Sequence, residues 1–327
     1  MYNKEQLTKI FERIGLTYNE NLPADYETLA AVQYGFQKNI PYENLDIIKK
    51  IPLSLDYDKL YEKIVLNRRG GYCFEINGFL GEVYRSLGFG VTEYMARYLR
   101  GETEIPVRRH RVLGVVTSNG KKYICDAGIG QSAFRLPLLM EENSRSEQYG
   151  ETYLVTREPF FGWMISDFHK GEWRRFYSFT AEEQLNIDYI MPSFWCEHAT
   201  ESPFTSAEMF SIKTDDGRIT LDSNIFHIFA GDTVTEKFLT EEEVREVYEE
   251  MGITEVEMHR EQVAFLGETV EAIRLSGAYE DVPLYSLQLC LERDSYLCVV
   301  TFNSYVEDTT ETLMKFFHPF VVEEEEK

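Results

Sequence analysis

The chain has 327 residues, of which 56 are Asp or Glu and 33 are Lys or Arg, so its formal net charge is −23 at pH 7. Hydrophobic residues make up 43% of the chain and aromatic residues 14%, which is enough apolar surface for a folded core and excludes an intrinsically disordered protein. Nucleic acid and anionic membranes are unfavourable partners for so acidic a protein.

No segment of the sequence resembles a membrane anchor or a leader. The longest apolar runs are the length of a strand, far short of the ~20 residues of a spanning helix, and the start Met-Tyr-Asn-Lys has no apolar stretch, so we expect no signal peptide. The cysteines are odd in number and form no Cys-x-x-Cys pair: Cys73, Cys125, Cys196, Cys290 and Cys298. This usage predicts free thiols, no metal and a cytoplasmic location.

Apolar spacing predicts four helices in the first 90 residues. They cover residues 3–15, 25–38, 55–66 and 73–87. Asn3 and Gln6 are arranged as a capping box at the start of the first helix, and Pro41 prevents the second from continuing. Gly88 is expected to end the fourth helix.

Strands replace helices from about Val91 onwards. Two of them, residues 111–117 and 122–126, flank the turn-forming sequence Ser-Asn-Gly-Lys at 118–121 and predict a hairpin. Further strands are expected at 152–156, 164–168, 173–179, 210–213 and 218–222, followed by a helix at 240–251. The last segment predicts a separate α+β unit, with strands at 263–266, 270–275, 285–291 and 296–302 and a helix at 309–317.

One cysteine has the position of a nucleophile. Cys73 follows Gly70-Gly71 and lies in the first turn of the predicted fourth helix. Free backbone N–H groups and the helix dipole stabilise a thiolate at such a position, and the thiolate is the reactive form of cysteine. Position alone also fits a small buried core residue, which is the common role of a free cysteine.

A nucleophilic cysteine needs a base and a group that orients the base. His110 begins the first strand of the hairpin, and Asp126 ends the second. A two-residue turn would place them on opposite faces of the sheet, whereas a three-residue loop pairs Thr117 with Lys121 and places Asp126 diagonal to His110 on one face. A Cys-His-Asp triad therefore predicts an odd-numbered loop or a bulge. The alternative is an exposed histidine at a strand end and an aspartate in a turn.

The run Arg-Arg-Gly-Gly-Tyr-Cys-Phe-Glu-Ile-Asn at residues 68–77 resembles the active-site motif of the arylamine N-acetyltransferases. Three further segments match that family in order and spacing: Pro-Tyr-Glu-Asn-Leu at 41–45, His-Arg-Val-Leu at 110–113 and Asp-Ala-Gly-Ile-Gly at 126–130. The similarity extends more weakly to about residue 253, where such enzymes usually end, so the tail after that residue has no counterpart in the family pattern.

The resemblance implies an α+β fold with a papain-like cysteine-enzyme core. A helical bundle that carries the nucleophile would occupy residues 1–90, and a β-barrel that carries His and Asp would occupy residues 91–200. An α/β lid would follow at 201–253. Residues 254–327 would then be a small C-terminal α+β extension of unknown role.

The resemblance also implies an enzyme that transfers the acetyl group of acetyl-CoA to an arylamine or arylhydrazine by a ping-pong mechanism, without a metal. Cys73 would become S-acetylated. His110 would be its base and, as imidazolium, its ion-pair partner, and Asp126 would orient His110. The other partner is a small-molecule acceptor, and the sequence does not indicate an oligomeric state.

Further positions follow from the same resemblance. Glu43 with Arg68 or Arg69 matches a structural ion pair, Gly130 matches a position beside bound CoA, and Tyr42, Ile129 and Ala133 fall in the acceptor pocket. Residues 97–111 carry five arginines, and Arg109 and Arg111 are candidates for the cationic mouth that CoA phosphates require. An ordinary solvated strand edge explains these arginines equally well.

Ile129 stands where the family often has phenylalanine, which removes an aromatic ring from the expected acceptor pocket. Two other functions are compatible with the sequence. One is a Cys-His-Asp amide synthase or hydrolase that uses another acyl thioester or an amide on the same scaffold. The other is a non-enzymatic binding module with a vestigial triad.

Overall fold

The protein is described here from a computed structural model. The structure describes residues 1–205, 209–222, 225–230, 233–238, 254–265, 268–279, 282–293, 296–305 and 308–314. The chain divides into two compact units, Met1–Asp222 with Phe226–Lys237, and Ser223–Ile225 with Phe238–Lys327.

The four helices predicted in the first 90 residues are present in the first unit, together with two further helices that were not predicted. Their bounds are α1 Lys4–Arg13, α2 Tyr26–Asn39, α3 Leu45–Ile48, α4 Tyr57–Tyr61, α5 Cys73–Ser86 and α6 Ile190–His198. The helix predicted at 55–66 is α4 continued by a π-helical turn, Glu62–Leu66. The capping box of Asn3 and Gln6 is confirmed by hydrogen bonds in both directions.

Within the described ranges, no helix has the length and apolar character needed to span a membrane.

Eight antiparallel strands form the largest sheet. Their bounds are β2 Gly90–Tyr98, β3 His110–Val116, β4 Lys122–Cys125, β5 Leu138–Leu139, β6 Ser144–Gln148, β7 Glu151–Glu158, β8 Gly162–His169 and β9 Glu172–Phe179. Their order is β5-β4-β3-β2-β9-β8-β7-β6. The edge strands β5 and β6 contact each other, so the sheet curls into a nearly closed barrel.

The strand that begins with His110 is buried on both faces. Leu113 and Val115 pack in a core cluster with the helices, whereas Val112 packs inside the barrel. Successive side chains of a strand point to opposite faces, so both sets need apolar residues, and β3 is apolar almost throughout. Cys125 on β4 lies in the helix-side cluster, which confirms that it packs away from the face of Asp126.

A smaller sheet begins beside the loop that precedes Cys73. Its strands are β1 Tyr42–Glu43, β10 Phe210–Lys213, β11 Gly217–Asp222, β12 Ile225–Ala230 and β13 Thr233–Phe238, in that order. β1 pairs antiparallel with β10, so Tyr42 lies opposite Ser211. The helix predicted at 240–251 lies outside the described residues.

The second unit contains one antiparallel sheet and one short helix within the described residues. Their bounds are β14 Thr254–Phe265, β15 Glu268–Tyr279, β16 Val282–Arg293, β17 Tyr296–Tyr305 and α7 Thr310–Met314. The apolar face of the sheet includes Phe265, Leu287 and Phe302, and Met314 of α7 packs against it. The α+β pattern predicted for the tail is thus confirmed, with strands longer than predicted, because charged positions extend the ladders beyond the apolar centres.

Candidate active site

Cys73 is the first residue of α5, and only 2% of its surface is exposed. Its Sγ lies 3.6 Å from the backbone oxygen of Arg109, the residue before His110. Tyr72 precedes the helix, and its N–H donates to Oε2 of Glu75 at 3.2 Å. Because Cys73 begins α5, the positive end of the helix dipole lies beside its thiol.

The two glycines before Cys73 allow the backbone to pack closely against β1. A Cβ on Gly70 would lie 2.1 Å from the backbone oxygen of Pro41, so no larger residue fits without a shift of the chain. Gly71 forms a parallel bridge with Tyr42, and its carbonyl accepts the N–H of Glu43 at 2.9 Å. The loop that presents the cysteine is thus fixed by backbone contacts.

The hairpin has the three-residue loop that the triad hypothesis requires. The N–H of Thr117 donates to the carbonyl of Lys121 at 3.0 Å. Gly120 in this loop has a φ of 82°, the left-handed region that favours glycine. The register of β3 and β4 continues to place Asp126 diagonal to His110 on the same face. The prediction of an odd-numbered loop is confirmed.

His110 and Asp126 are in direct contact. Nε2 of His110 lies 2.6 Å from Oδ2 of Asp126, and both residues are buried. The ring of Tyr177 packs edge-on against the imidazole, with 5.4 Å between ring centroids. The structure therefore brings Cys73, His110 and Asp126 together at one end of the barrel.

The charges of these groups depend on one another. Burial lowers the pKa of His110. Asp126, through its charge and hydrogen bond, together with Cys73 outweighs burial, and the net result is a pKa raised to about 10. The net rise in pKa favours the protonated form of His110. Burial raises the pKa of the Cys73 thiol above its ordinary value, and the hydrogen bond and charge of His110 oppose that rise. The thiolate consequently depends on the imidazolium beside it.

Sequence reasoning missed the residue that holds the carboxylate of Asp126. Nδ2 of Asn77 donates to Oδ1 of Asp126 at 2.8 Å, and its Oδ1 accepts the N–H of Ala127 at 2.9 Å. The N–H of Gly128 donates to the same carboxylate oxygen at 2.9 Å. Asn77 lies one turn after Cys73, so one helix positions both the Cys73 thiol and the Asp126 carboxylate. The available signal was an amide on the buried face of that helix.

A network of charged residues lies under the cysteine loop. Nη2 of Arg69 is 2.9 Å from Oε1 of Glu43 and 2.8 Å from Oδ1 of Asp46. Lys63 bridges Asp46 and Glu75. Burial raises the pKa of Asp46, but Lys63 and Arg69 together hold it below its ordinary value. Burial outweighs Lys63 at Glu75 and raises its pKa to about 7.

The sequence was compatible with an ion pair of Glu43 with either Arg68 or Arg69, and the structure has the pair with Arg69. Arg68 is exposed, and its φ of 55° turns the chain so that its carbonyl accepts from Nη2 of Arg13 at 3.1 Å. The inclusion of Arg68 in a pair with Glu43 was therefore wrong.

A cavity of about 480 Å³ opens beside Cys73 and His110. Much of its wall is aromatic or apolar, including Tyr42, Tyr98, Ile129, Phe204, Met209 and Phe210. Gly130, Arg109 and His227 also line it. Sequence reasoning assigned no role to Tyr98, Phe204 or His227, because strands distant in the chain bring them to the cavity.

Ala133 does not line this cavity. Only 1% of its surface is exposed, and it follows the 3₁₀ turn Gly130–Ser132, which directs the chain back into the interior. Its assignment to an acceptor pocket was therefore wrong.

Arg111 cannot contact a phosphate, which corrects its assignment to a cationic mouth. It is fully buried, pairs with Glu93 and donates to Oδ1 of Asn186 at 3.0 Å. Its guanidinium lies 4.3 Å from the centroid of the Tyr189 ring. Arg111 follows His110 directly on β3 and faces the opposite side of the sheet, so the histidine can line the cavity while the arginine cannot.

The other arginines of residues 97–111 have local partners. Arg97 donates to the carbonyl of Pro106, Arg100 pairs with Asp167, Arg108 with Glu182 and Arg109 with Glu102. This pairing favours the strand-edge explanation for most of the segment. Arg109 alone among these residues also lines the described cavity.

Comparison with known proteins identifies the class of enzyme. A family model described as N-acetyltransferase matches residues 25–260. The chain is 34% identical to an arylamine N-acetyltransferase of Escherichia coli (strain K12) over 204 residues, which are 62% of this chain and 71% of that protein. It is 33% identical to the enzyme of Mycolicibacterium smegmatis over 202 residues, which are 60% and 73% of the two chains.

Solved structures agree with the sequence matches. The arylamine N-acetyltransferase of Salmonella typhimurium superposes with a TM-score of 0.70 at 27% identity and covers 76% of this chain and 89% of its own. That of Mycobacterium marinum, solved in complex with CoA, superposes with a TM-score of 0.68 at 25% identity and covers 75% and 90%. The fold and the matches together define an N-acetyltransferase.

More narrowly, the chain belongs to the arylamine N-acetyltransferase family. The predicted α+β fold with a papain-like cysteine-enzyme core is confirmed. The family model ends at residue 260, so β15, β16, β17 and α7 lie beyond the matched part of the chain.

Proposed function

We propose that this enzyme transfers the acetyl group of acetyl-CoA to an arylamine or arylhydrazine by a ping-pong mechanism, through an S-acetyl intermediate on Cys73. The observation that carries the proposal is the contact of 2.6 Å between His110 and Asp126, beside a cysteine at a helix start and at the wall of a cavity. The relative from Mycobacterium marinum that was solved in complex with CoA supports the donor.

In the first half-reaction the Cys73 thiolate attacks the carbonyl carbon of the acetyl thioester. A bond forms between Sγ and that carbon, and the bond from the carbon to the sulfur of CoA breaks. The imidazolium of His110 gives its proton to the departing CoA thiolate and becomes neutral. Thioester exchange between two thiols is nearly balanced in energy, so a nucleophile of this kind suits the donor.

In the second half-reaction the nitrogen of the acceptor attacks the acetyl carbon on Sγ. Neutral His110 accepts the proton that the nitrogen loses, and the bond from carbon to Sγ breaks. The products are the N-acetyl compound and a Cys73 thiolate beside a protonated His110. Asp126 keeps its negative charge throughout and stabilises the imidazolium that forms at the end of each cycle.

The cavity wall suggests how the two substrates are held. We assign Gly130 and Arg109 to contacts with CoA, because the backbone of Gly130, with a φ of 66°, lies at the cavity together with the one arginine of residues 97–111 that reaches it. Tyr42 and Ile129 are assigned to the acceptor, since both line the same cavity beside the cysteine.

The proposed organisation follows the sequence. Residues 1–90 would supply the nucleophile, 91–200 the histidine and aspartate and 201–253 a lid, with 254–327 as an extension. The described cysteines Cys73, Cys125 and Cys196 are free thiols, which supports action in the reducing cytoplasm.

Intact mass spectrometry after incubation with acetyl-CoA alone tests the mechanism. The expected result is the gain of one acetyl group, mapped to Cys73 by peptide analysis and discharged by an added arylamine or hydrazine. The matched control is Cys196→Ser, which keeps the proposed nucleophile and should still be labelled. Absence of an adduct while iodoacetamide still alkylates Cys73 would reject acetyl-CoA as the donor and direct attention to other acyl thioesters.

A further inference from the structure

Two glutamines of α2 hold the peptide groups of Asp126. Oε1 of Gln33 accepts the N–H of Asp126 at 3.0 Å, and Nε2 of Gln37 donates to the carbonyl of Asp126 at 2.9 Å. The two glutamines lie four residues apart, hence on one helix face, and both are buried. Side chains of a single helix thus bind both the N–H and the C=O of Asp126.

The same two side chains also bind the far end of the segment that follows Asp126. Nε2 of Gln33 donates to the carbonyls of Phe134 at 3.0 Å and Arg135 at 3.3 Å. Nε2 of Gln37 donates to the carbonyl of Phe134 at 2.7 Å. The residues between these two anchor points include Gly128–Ser132, each of which lines the cavity. We refer to Gln33 and Gln37 as the glutamine clamp.

The clamp replaces partners that the strand no longer provides. β4 ends at Cys125, so the peptide groups of Asp126 lie beyond the hydrogen-bond ladder of the sheet. Buried N–H and C=O groups need partners, and leaving one unpaired costs about 1–3 kcal/mol. The peptide groups of Asp126 can therefore be buried beyond the end of the strand because two side chains of α2 satisfy both of them.

We propose that Gln33 and Gln37 are positioning residues for acetyl transfer. By fixing the backbone of Asp126 they keep its carboxylate in contact with His110, and that contact maintains the imidazolium on which the Cys73 thiolate depends. The proposal rests on the proposed roles of Cys73, His110 and Asp126. It differs from a purely structural role because it connects α2 to the ionisation of a thiol that neither glutamine touches.

The test is the pH dependence of Cys73 alkylation by iodoacetamide, without donor or acceptor. The variants are Gln33→Met and Gln37→Met, which retain the side-chain length and remove the amide. Gln148→Met is the matched control: Gln148 is also buried and brackets a peptide, that of Leu136, with hydrogen bonds of 2.6 and 3.1 Å, but it does not contact Asp126. Thermal unfolding of each variant measures any general loss of stability.

When the clamp is lost, the Asp126 carboxylate moves, the pKa of His110 falls and the pKa of the thiol rises. We expect the alkylation midpoint of Gln33→Met and Gln37→Met to shift upward by about half a pH unit or more, an about threefold loss of thiolate below the midpoint. Gln148→Met should lose stability without this shift. Gln33→Asn and Gln37→Asn, which shorten the clamp but keep the amide, should shift the midpoint in the same direction.

Unchanged midpoints in folded clamp variants, or an equal shift in Gln148→Met, would overturn the proposal. If either methionine variant does not fold, the asparagine variants decide by the same criterion. A wild-type protein whose Cys73 is not alkylated would instead overturn the proposed function itself, so the two failures can be distinguished.

Discussion

Nε2 of His110 lies 2.6 Å from Oδ2 of Asp126. This contact raises the pKa of His110 and so favours its protonated form. Burial alone would lower the pKa of His110, yet the carboxylate, together with Cys73, raises it above its ordinary value. Because the charge of His110 opposes the effect of burial on the pKa of the Cys73 thiol, the Asp126 carboxylate influences that thiol through the histidine.

Asp126→Asn should therefore change both reactivity and activity. Without the carboxylate the pKa of His110 falls, the imidazolium is lost near neutral pH, and the pKa of the Cys73 thiol rises. We expect the alkylation midpoint to move to higher pH and acetyl transfer to fall by about 10²–10⁴-fold. The measurements are the pH profile of iodoacetamide alkylation and kcat/KM; near-normal values of both would show that Asp126 is only structural.

Cys73→Ser should abolish acetyl transfer while leaving the protein folded. A neutral hydroxyl in this environment is a far weaker nucleophile than a thiolate, and His110 alone cannot compensate for that difference. Turnover is measured with an arylamine acceptor and folding by circular dichroism. Cys196→Ser, a change at another buried free cysteine, is the control and should retain turnover. Activity retained in Cys73→Ser would contradict the nucleophile assignment.

Two features of the candidate site could be predicted because they depend on local rules. A cysteine after two glycines at a helix start follows from the sequence around residue 73. The face shared by His110 and Asp126 follows from the parity of a hairpin loop, since side chains alternate along a strand. A shared face requires an odd-numbered loop or a bulge, and the structure has a three-residue loop.

The supporting residues could not be predicted, because they depend on packing between distant segments. Gln33 and Asn77 reach Asp126 from two different helices, and no spacing in the sequence indicates this contact. Arg111 was assigned to the cationic mouth although its side chain points to the other face of the strand. The number of arginines in a segment does not show which face of the strand each side chain occupies. The guanidinium of Arg111 forms a buried ion pair with Glu93.

The charged network under the cysteine loop gives a test with a matched pair of arginines. Arg69 is in contact with Glu43 and Asp46, whereas its neighbour Arg68 is exposed. Removing one partner of a buried ion pair leaves an uncompensated charge, so Arg69→Gln should lower the free energy of unfolding by about 3–5 kcal/mol. Arg68→Gln should change it by less than about 0.5 kcal/mol. Urea unfolding measures both, and similar losses for the two variants would contradict this account.

Lys213 should give a characteristic dependence of stability on pH. Its side chain is buried 3.6 Å from Glu151, a carboxylate that also pairs with Arg135. Burial lowers the pKa of Lys213 from its ordinary value of 10.5 to about 8. Between these two pH values the unfolded chain binds more protons than the folded protein, so this group makes the free energy of unfolding rise with pH in that window.

Lys213→Met removes this contribution. The variant should therefore gain most relative to wild type below about pH 8, and its advantage should shrink as the pH approaches 10.5. Urea unfolding of both proteins at several pH values across this range gives the difference in their free energies of unfolding. Groups that titrate identically in both proteins do not contribute to this difference. A difference that does not vary with pH would show that Lys213 titrates normally in the folded protein.

Ile129 offers a test of the acceptor assignment, because its side chain lines the cavity where the family often has an aromatic ring. Ile129→Phe should lower KM for flat arylamines by about threefold to tenfold, the effect of one added aromatic contact. Hydrazine has no ring and should gain nothing from the substitution, and KM for acetyl-CoA should stay unchanged. Ile129→Leu, which adds no ring, serves as the control variant. An equal change for hydrazine and the arylamine would place Ile129 outside the acceptor contacts.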